Sequence, residues 1–263
     1  MTARMHAMQD TATMLRRNLR RVTRYPVAPA IIVGIPVVVL LLFVYVFGDT
    51  MGAGLGGSAA DRAGYANYVT PGIILIAIAG STQGTAISVA MDMSEGIMAR
   101  FRTMAIARLS VLNGHVVANL IQIMLGLAVV VGVALLVGFR PTAGPIEWLS
   151  SVGLLTLVAL ALTWLSVAFG LVAKTVEGAS NLPMPLILLP FLGSGFVPTE
   201  GMPAGLAWFA EYQPFTPIMD TLRGLLLGTP IGTSGAIAVA WCLGMLLAGY
   251  AWARMLYDRD PVA

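Results

Sequence analysis

Ile73-Ile-Leu-Ile-Ala-Ile-Ala-Gly-Ser-Thr-Gln-Gly-Thr-Ala-Ile-Ser-Val-Ala-Met91 closes a run that begins at Ala63 and contains no charged side chain. About 20 apolar residues in a helix cross a bilayer core of roughly 30 Å, so this run reads as a membrane span. Outward from it, charge-free blocks recur from Tyr25 to Gly48, from Trp148 to Ala173 and from Gly224 to Ala253. Six spans are expected, at about 27–48, 69–91, 115–138, 148–172, 182–198 and 231–253. The fifth is short and carries Pro183, Pro185 and Pro190, so it should cross as a kinked helix or lean on the segment after it.

Composition agrees. Of the 263 residues, 58% are apolar and 10% charged, whereas soluble domains average about 45–50% and about 25%. Disorder, collagen, a coiled coil and a soluble α/β enzyme are excluded. The fold class is all-α and polytopic: one domain over 1–263, with a cytoplasmic arm at 1–26, a six-span region at 27–253 and a tail at 254–263. In the arm, Met8, Ala12, Leu15, Leu19 and Val22 share a helical face, and the arginines fall elsewhere, as in a helix lying in the membrane interface. The arm is too long and polar to read as a cleavable signal.

Charge sets the orientation. Twelve of the fifteen Lys and Arg residues fall in the arm, the loops after spans two and four, and the tail; Arg62, Arg140 and Arg223 fall opposite. By the positive-inside rule both termini are cytoplasmic, in the cell's inner (plasma) membrane. The basic residues are thus topology signals and imply no nucleic-acid partner.

Several chemistries are unsupported. Cys242 is the single cysteine, and His6 and His115 are far apart, so no metal site is expected. Gly170-Leu-Val-Ala-Lys-Thr175 lacks the second glycine of a phosphate loop, and Gly52–Gly57 reads as a flexible external loop. No nucleophile–base pair occurs at suitable spacing, so no catalytic residue is assigned and the chain reads as no enzyme. The span interiors hold no acid, histidine or arginine that could relay protons, and His115, at the start of span three, reads as interfacial. Energy for any transport would come from outside the chain.

Two cytoplasmic and external motifs give a family resemblance. Asp92, Glu95-Gly96-Ile97, Arg100-Phe101-Arg102 and Ala105 form a helix-compatible stretch after span two, acidic at its start and basic later. It resembles the coupling segment of ABC-type-2 exporter permeases of the daunorubicin-resistance type. Phe191-Leu-Gly-Ser-Gly-Phe-Val-Pro198, Met202-Pro203, Tyr212-Gln-Pro-Phe-Thr-Pro217 and Asp220 to Gly224 resemble that family's fifth span and external re-entrant segment. The usual proline after the Arg-Phe-Arg run is replaced by Ala105-Ile106-Ala107.

The resemblance implies the transmembrane subunit of an ATP-driven exporter of a hydrophobic or amphipathic drug or lipid. It would act as a dimer with a second permease protomer, homo- or heteromeric, in contact with membrane lipids. Two copies of a separate ATP-binding cassette subunit would bind ATP and Mg, and this chain would carry no cofactor. Glu95, Arg100 and Arg102 would dock that subunit through polar contacts, and Phe101 as an apolar knob. In span two Gly80, Ser81, Gln83, Gly84, Thr85 and Ser88, and in span three Asn119 and Gln122, fit either helix packing or the pathway wall. Phe191, Phe196, Trp208, Phe209, Tyr212 and Phe215 fit either an apolar exit or an interfacial belt. A lipid-linked glycan exporter, an ion-coupled carrier and a non-transporting scaffold are the alternatives.

Overall fold

The structure, a computed structural model, describes residues 27–55, 62–95, 108–197 and 199–258. The N-terminal arm at 1–26, the stretch 96–107 with Arg100, Phe101 and Arg102, and the residues after 258 lie outside the described residues. All regular structure among the described residues is helical. Helix α1 (Val27–Leu42) continues through a π-helical turn, Phe43–Phe47, into α2 (Gly48–Leu55). Then come α3 (Arg62–Ser94), α4 (Arg108–Val137) and α5 (Pro145–Val172). A broken stretch follows: α6 (Val176–Asn181), α7 (Met184–Leu188) and a 3-10 turn at Leu189–Leu192. Helices α8 (Ala204–Tyr212), α9 (Phe215–Leu227) and α10 (Ser234–Asp258) complete the chain.

Five segments are long and apolar enough to cross a membrane: Ala30–Ala53, Arg62–Ser94, Leu112–Val137, Pro145–Val172 and Ser234–Tyr257. Leu125, Leu136, Leu149 and Leu247, each at least 65% exposed, point outward from them. Such a surface has no place in water and suits lipid. The protein is an all-α, multi-pass membrane protein.

Several helices outrun the charge-free blocks that suggested them. Arg62 and Asp92 lie within α3, Arg108 opens α4, and Gly52, expected in a flexible loop, is helical in α2. Backbone hydrogen bonding does not stop where the hydrocarbon does, so charge locates a span and underestimates the helix. The fifth span departs most. Residues 182–197 form no continuous helix, because Pro183, Pro185 and Pro190 withhold three N–H donors and Gly193 ends the last turn in an extended conformation.

The broken stretch still climbs through the bundle. At its start the carbonyl of Ser180 accepts a hydrogen bond from Gln83 Nε2 at 2.9 Å. At its end Gly195 lies against Gly72, where an added Cβ would meet the Gly195 carbonyl at 3.0 Å. Gln83 and Gly72 are separated by roughly 16 Å along α3. The segment therefore runs antiparallel to α3 over about half a membrane thickness.

Helix α3 is the hub. Of its most apolar stretch 72% is buried, and of that of α5 61%, against 17% for the first span and 22% for α4 and α10. Glycine sets the closeness of the central contacts. A Cβ on Gly170 of α5 would sit 2.6 Å from the Ala86 carbonyl and 2.8 Å from Val89 Cβ, and one on Gly249 of α10 would sit 2.8 Å from the Leu165 nitrogen. Three hydroxyls of α3 are satisfied by their own helix: Thr70 donates to Ala66 O, Ser81 to Ile78 O and Thr82 to Ala79 O. Without such bonds a polar group in hydrocarbon costs several kcal/mol.

Gly170→Val is expected to lower stability in detergent by roughly 1–3 kcal/mol through overpacking against α3. Gly80→Ala, whose Cβ meets nothing within 4 Å, should leave it unchanged. Thermal unfolding of the two purified variants checks both; equal melting temperatures would contradict the tight α3–α5 contact.

Candidate functional site: polar groups along the membrane bundle

Polar chemistry gathers at three levels. At the end where α3 finishes and α4 begins, Asp92 Oδ2 faces His115 Nε2 at 3.0 Å, with 4% and 5% of the side chains exposed. Helical spacing explains the pairing. Val89 and Asp92 fall on the buried stripe of α3, as Leu112 and His115 do on that of α4. Asp92 is therefore part of α3, not of a separate stretch after it, and it is buried against the start of α4, where His115 stands within the bundle. Glu95, one turn on, is exposed, and its N–H donates to Met91 O at 2.9 Å.

At mid-depth α1, α3 and α4 enclose a narrow cleft of about 30 Å³. Ser81, Asn119 and Gln122 form its polar part, and Ile32, Val33 and Ile123 are among its apolar walls. Drug-sized ligands occupy pockets of roughly 300–1,000 Å³, so in this conformation the cleft is too narrow to hold one. Asn119 Nδ2 donates to Thr163 Oγ1 on α5 at 2.9 Å. Ser166 Oγ donates to the Thr82 carbonyl, tying α5 to α3.

The other residues singled out in spans two and three are dispersed. Gln83 faces α6 and bonds its backbone, away from the cleft. Thr85 is buried, and Ser88 is half-buried. A Cβ added at Gly80 would meet no neighbouring element within 4 Å, and one at Gly84 would meet only Ile32 Cδ1 at 3.4 Å. Close helix contacts within the protomer are made instead at Gly72, Gly170 and Gly249.

At the opposite end a charged network braces the broken stretch. Arg223 Nη1 donates to Asp220 Oδ1 at 2.9 Å, and Nη2 donates to Ser194 O at 2.9 Å and to Tyr68 O at 3.4 Å. The guanidinium lies 4.2 Å from the Tyr68 ring centroid, a cation–π contact. Ser194 Oγ donates to Asp220 Oδ1 at 2.8 Å, and Gln213 Nε2 donates to Leu189 O at 3.1 Å. Arg223 Nε and Gln213 Oε1 are buried without a partner. Such atoms are uncommon and mark positions able to receive a water or a polar group.

The aromatic residues split into two sets. Phe191 and Phe196 stack at 5.1 Å, and Phe43, which opens the π-turn, meets Phe196 at 4.7 Å. Trp208 and Tyr212, each 64% exposed, pair on α8 at 5.4 Å, while Phe215 is fully buried.

The described residues thus form a bundle of membrane helices around a cleft lined by amides, a hydroxyl and hydrocarbon. Residues 9–227 match the family described as ABC-2 type transporter, and the chain belongs to that family. It is similar to the daunorubicin resistance ABC transporter permease protein of Streptomyces coeruleorubidus, with 28% identity over 247 residues, 93% of this chain and 82% of that one. It is also similar to the probable doxorubicin resistance ABC transporter permease protein of Mycobacterium tuberculosis, with 24% identity over 233 residues, 89% and 83% of the two chains.

Replacing Arg223 by Met removes bonds to two carbonyls and a carboxylate and should cost about 2–3 kcal/mol, the scale of charge-assisted hydrogen bonds. Asp220→Asn, at a carboxylate 38% exposed, should cost under about 1 kcal/mol. Denaturant unfolding in detergent ranks them; an equal or reversed order would contradict the bracing role of Arg223.

Proposed function

We propose that the chain is the pathway-forming subunit of an ATP-driven exporter of amphipathic, drug-like molecules or lipids. The observation that carries this reading is the near full-length similarity to two permeases whose names state daunorubicin or doxorubicin resistance. The cleft supports it physically. Three uncharged polar side chains face an otherwise apolar mid-membrane space, which suits a molecule that partitions into lipid and carries hydrogen-bonding groups.

In this reading the energy comes from a separate ATP-binding cassette subunit, present twice and holding ATP and Mg. The permease itself is a dimer. The first span, the least buried, carries an open apolar groove along Ile31, Ile35 and Val38, and that face is assigned to the second protomer. The whole chain, 1–263, acts as one permease domain with six crossings, the broken stretch being the fifth. The start of α1, where Ile32 meets Gly84, and the end of α10, where Tyr257 packs with Val89 and Leu112, both lie at the C-terminal end of α3. Together with the Lys/Arg asymmetry this supports two cytoplasmic termini in the plasma membrane. Glu95, Arg100, Phe101 and Arg102 are then assigned to docking the ATPase, and α8 and α9 to the external shelf.

The test is co-purification with the cognate ATP-binding subunit, followed by ATP-dependent uptake of daunorubicin into inside-out vesicles. Phe101→Ala, and Glu95 with Arg102 replaced together by Ala, should each weaken ATPase binding with normal membrane insertion. An anchor residue of this kind is worth about 2 kcal/mol, or roughly thirtyfold in affinity. Unchanged binding and uptake in both variants would overturn the docking assignment.

A further inference from the structure

A carboxylate and an imidazole that are both about 95% buried are expensive to desolvate, and a well-packed apolar pair often holds two helices as firmly. What the apolar pair lacks is direction. Hydrophobic contact is non-directional and tolerates sliding, whereas a bond at 3.0 Å is lost when either helix shifts by a fraction of a turn. The Asp92–His115 contact therefore fixes the register of the end of α3 against the start of α4.

It does so at a four-helix junction. Val89 of α3 and Leu112 and Val116 of α4 pack with Trp164 and Val167 of α5 and Tyr257 of α10 in an apolar cluster separate from the main core. The Gly170 contact presses α5 directly onto Ala86 and Val89, one to two turns before Asp92. Asp92 and His115 thus join the two ends that flank residues 96–107 in the sequence, and the same junction reaches α5 and α10.

We propose that Asp92 and His115 are positioning residues for transport: their bond makes the ends of α3 and α4 move as one body with α5 and α10, so that a push delivered between them reaches the mid-membrane cleft. The inference rests on the ATP-driven reading above. Without the bond the two ends would slip past each other and the push would be absorbed locally. The pair touches neither nucleotide nor substrate in this scheme, and its effect is on coupling alone.

The experiment uses the full complex with the cognate ATP-binding subunit in liposomes. A Cys242→Ala background carries one reporter thiol at the cleft, Ile32→Cys, and its rate of maleimide labelling is compared with and without ATP plus vanadate. With the native pair the rate should change at least fivefold. In Asp92→Leu and in His115→Leu, each of which removes the bond, the change should fall below twofold while ATPase binding and basal hydrolysis persist. The exchanged pair, Asp92→His with His115→Asp, should recover at least half of the response. Variants that respond like the parent overturn the proposal, and so do variants that no longer assemble, because the pair is then structural. A parent complex that does not form, or whose cleft ignores ATP, overturns the functional reading instead.

Discussion

The burial of α3 on nearly all sides is the constraint from which the other packing follows. In hydrocarbon there is no hydrophobic gain in bringing helices together, so close approach and satisfied polar groups must hold the bundle. Helix α3 meets both needs. Its hydroxyls at Thr70, Ser81 and Thr82 return bonds to their own backbone, leaving a surface smooth enough to pack. Its neighbours then approach through glycine, from Gly170 on one side and Gly195 on another. Peripheral helices α1, α4 and α10 keep lipid-facing leucines and isoleucines because α3 has already taken the interior positions.

This arrangement explains why the segment before α8 is broken. A regular fifth helix would pack its side chains against α3 at ordinary interhelical distance. The proline-rich stretch instead presents backbone: the Ser180 carbonyl to Gln83, and the Gly195 backbone to Gly72. Carbonyls freed by proline and by the 3-10 turn need partners inside the membrane, and the side chains of Gln213 and Arg223 supply them at Leu189 and Ser194. Irregular backbone at membrane depth is tolerated only where protein groups satisfy it. The network around Arg223 is thus the counterpart, in side chains, of the hydrogen bonds that the prolines removed.

Much of the fold was legible in the sequence because it follows from one strong signal, the absence of charge over span-length runs. The central placement of α3 was less legible. Its apolar residues are not arranged on one face, and full burial erases the periodicity that would mark a partner. The Asp92–His115 pair was hidden by the same signal that located the spans. Asp92 stands just past the end of one charge-free run and His115 at the start of another, so the two read separately as loop and span end and not as a buried pair. The usable cue was the spacing of Val89 to Asp92 and of Leu112 to His115 on stripes already committed to the interior. For the cleft, the polar residues were visible, but which of them converge depends on helix rotation. Rotation brings Ser81 of α3 to face Asn119 and Gln122 of α4, and turns Gln83 to α6.

Charge is consequently placed at the two ends of a neutral middle. The pair at one end and the Arg223 network at the other each join α3 to a different neighbour, α4 in the first case and the broken stretch in the second. Between them the cleft is lined by amides, a hydroxyl and hydrocarbon alone. A bundle that had to open and close around a bound molecule would suffer if its middle were locked by buried charges, since breaking such a pair costs about 3–5 kcal/mol. Amide and hydroxyl contacts across membrane helices average nearer 0.6 kcal/mol. With the firm contacts at the ends and the weak ones in the middle, α1 and α4 can part at the cleft while the ends of α3 keep their partners. That distribution of contact strength, more than any single residue, is what makes the closed cleft readable as one state of a moving pathway.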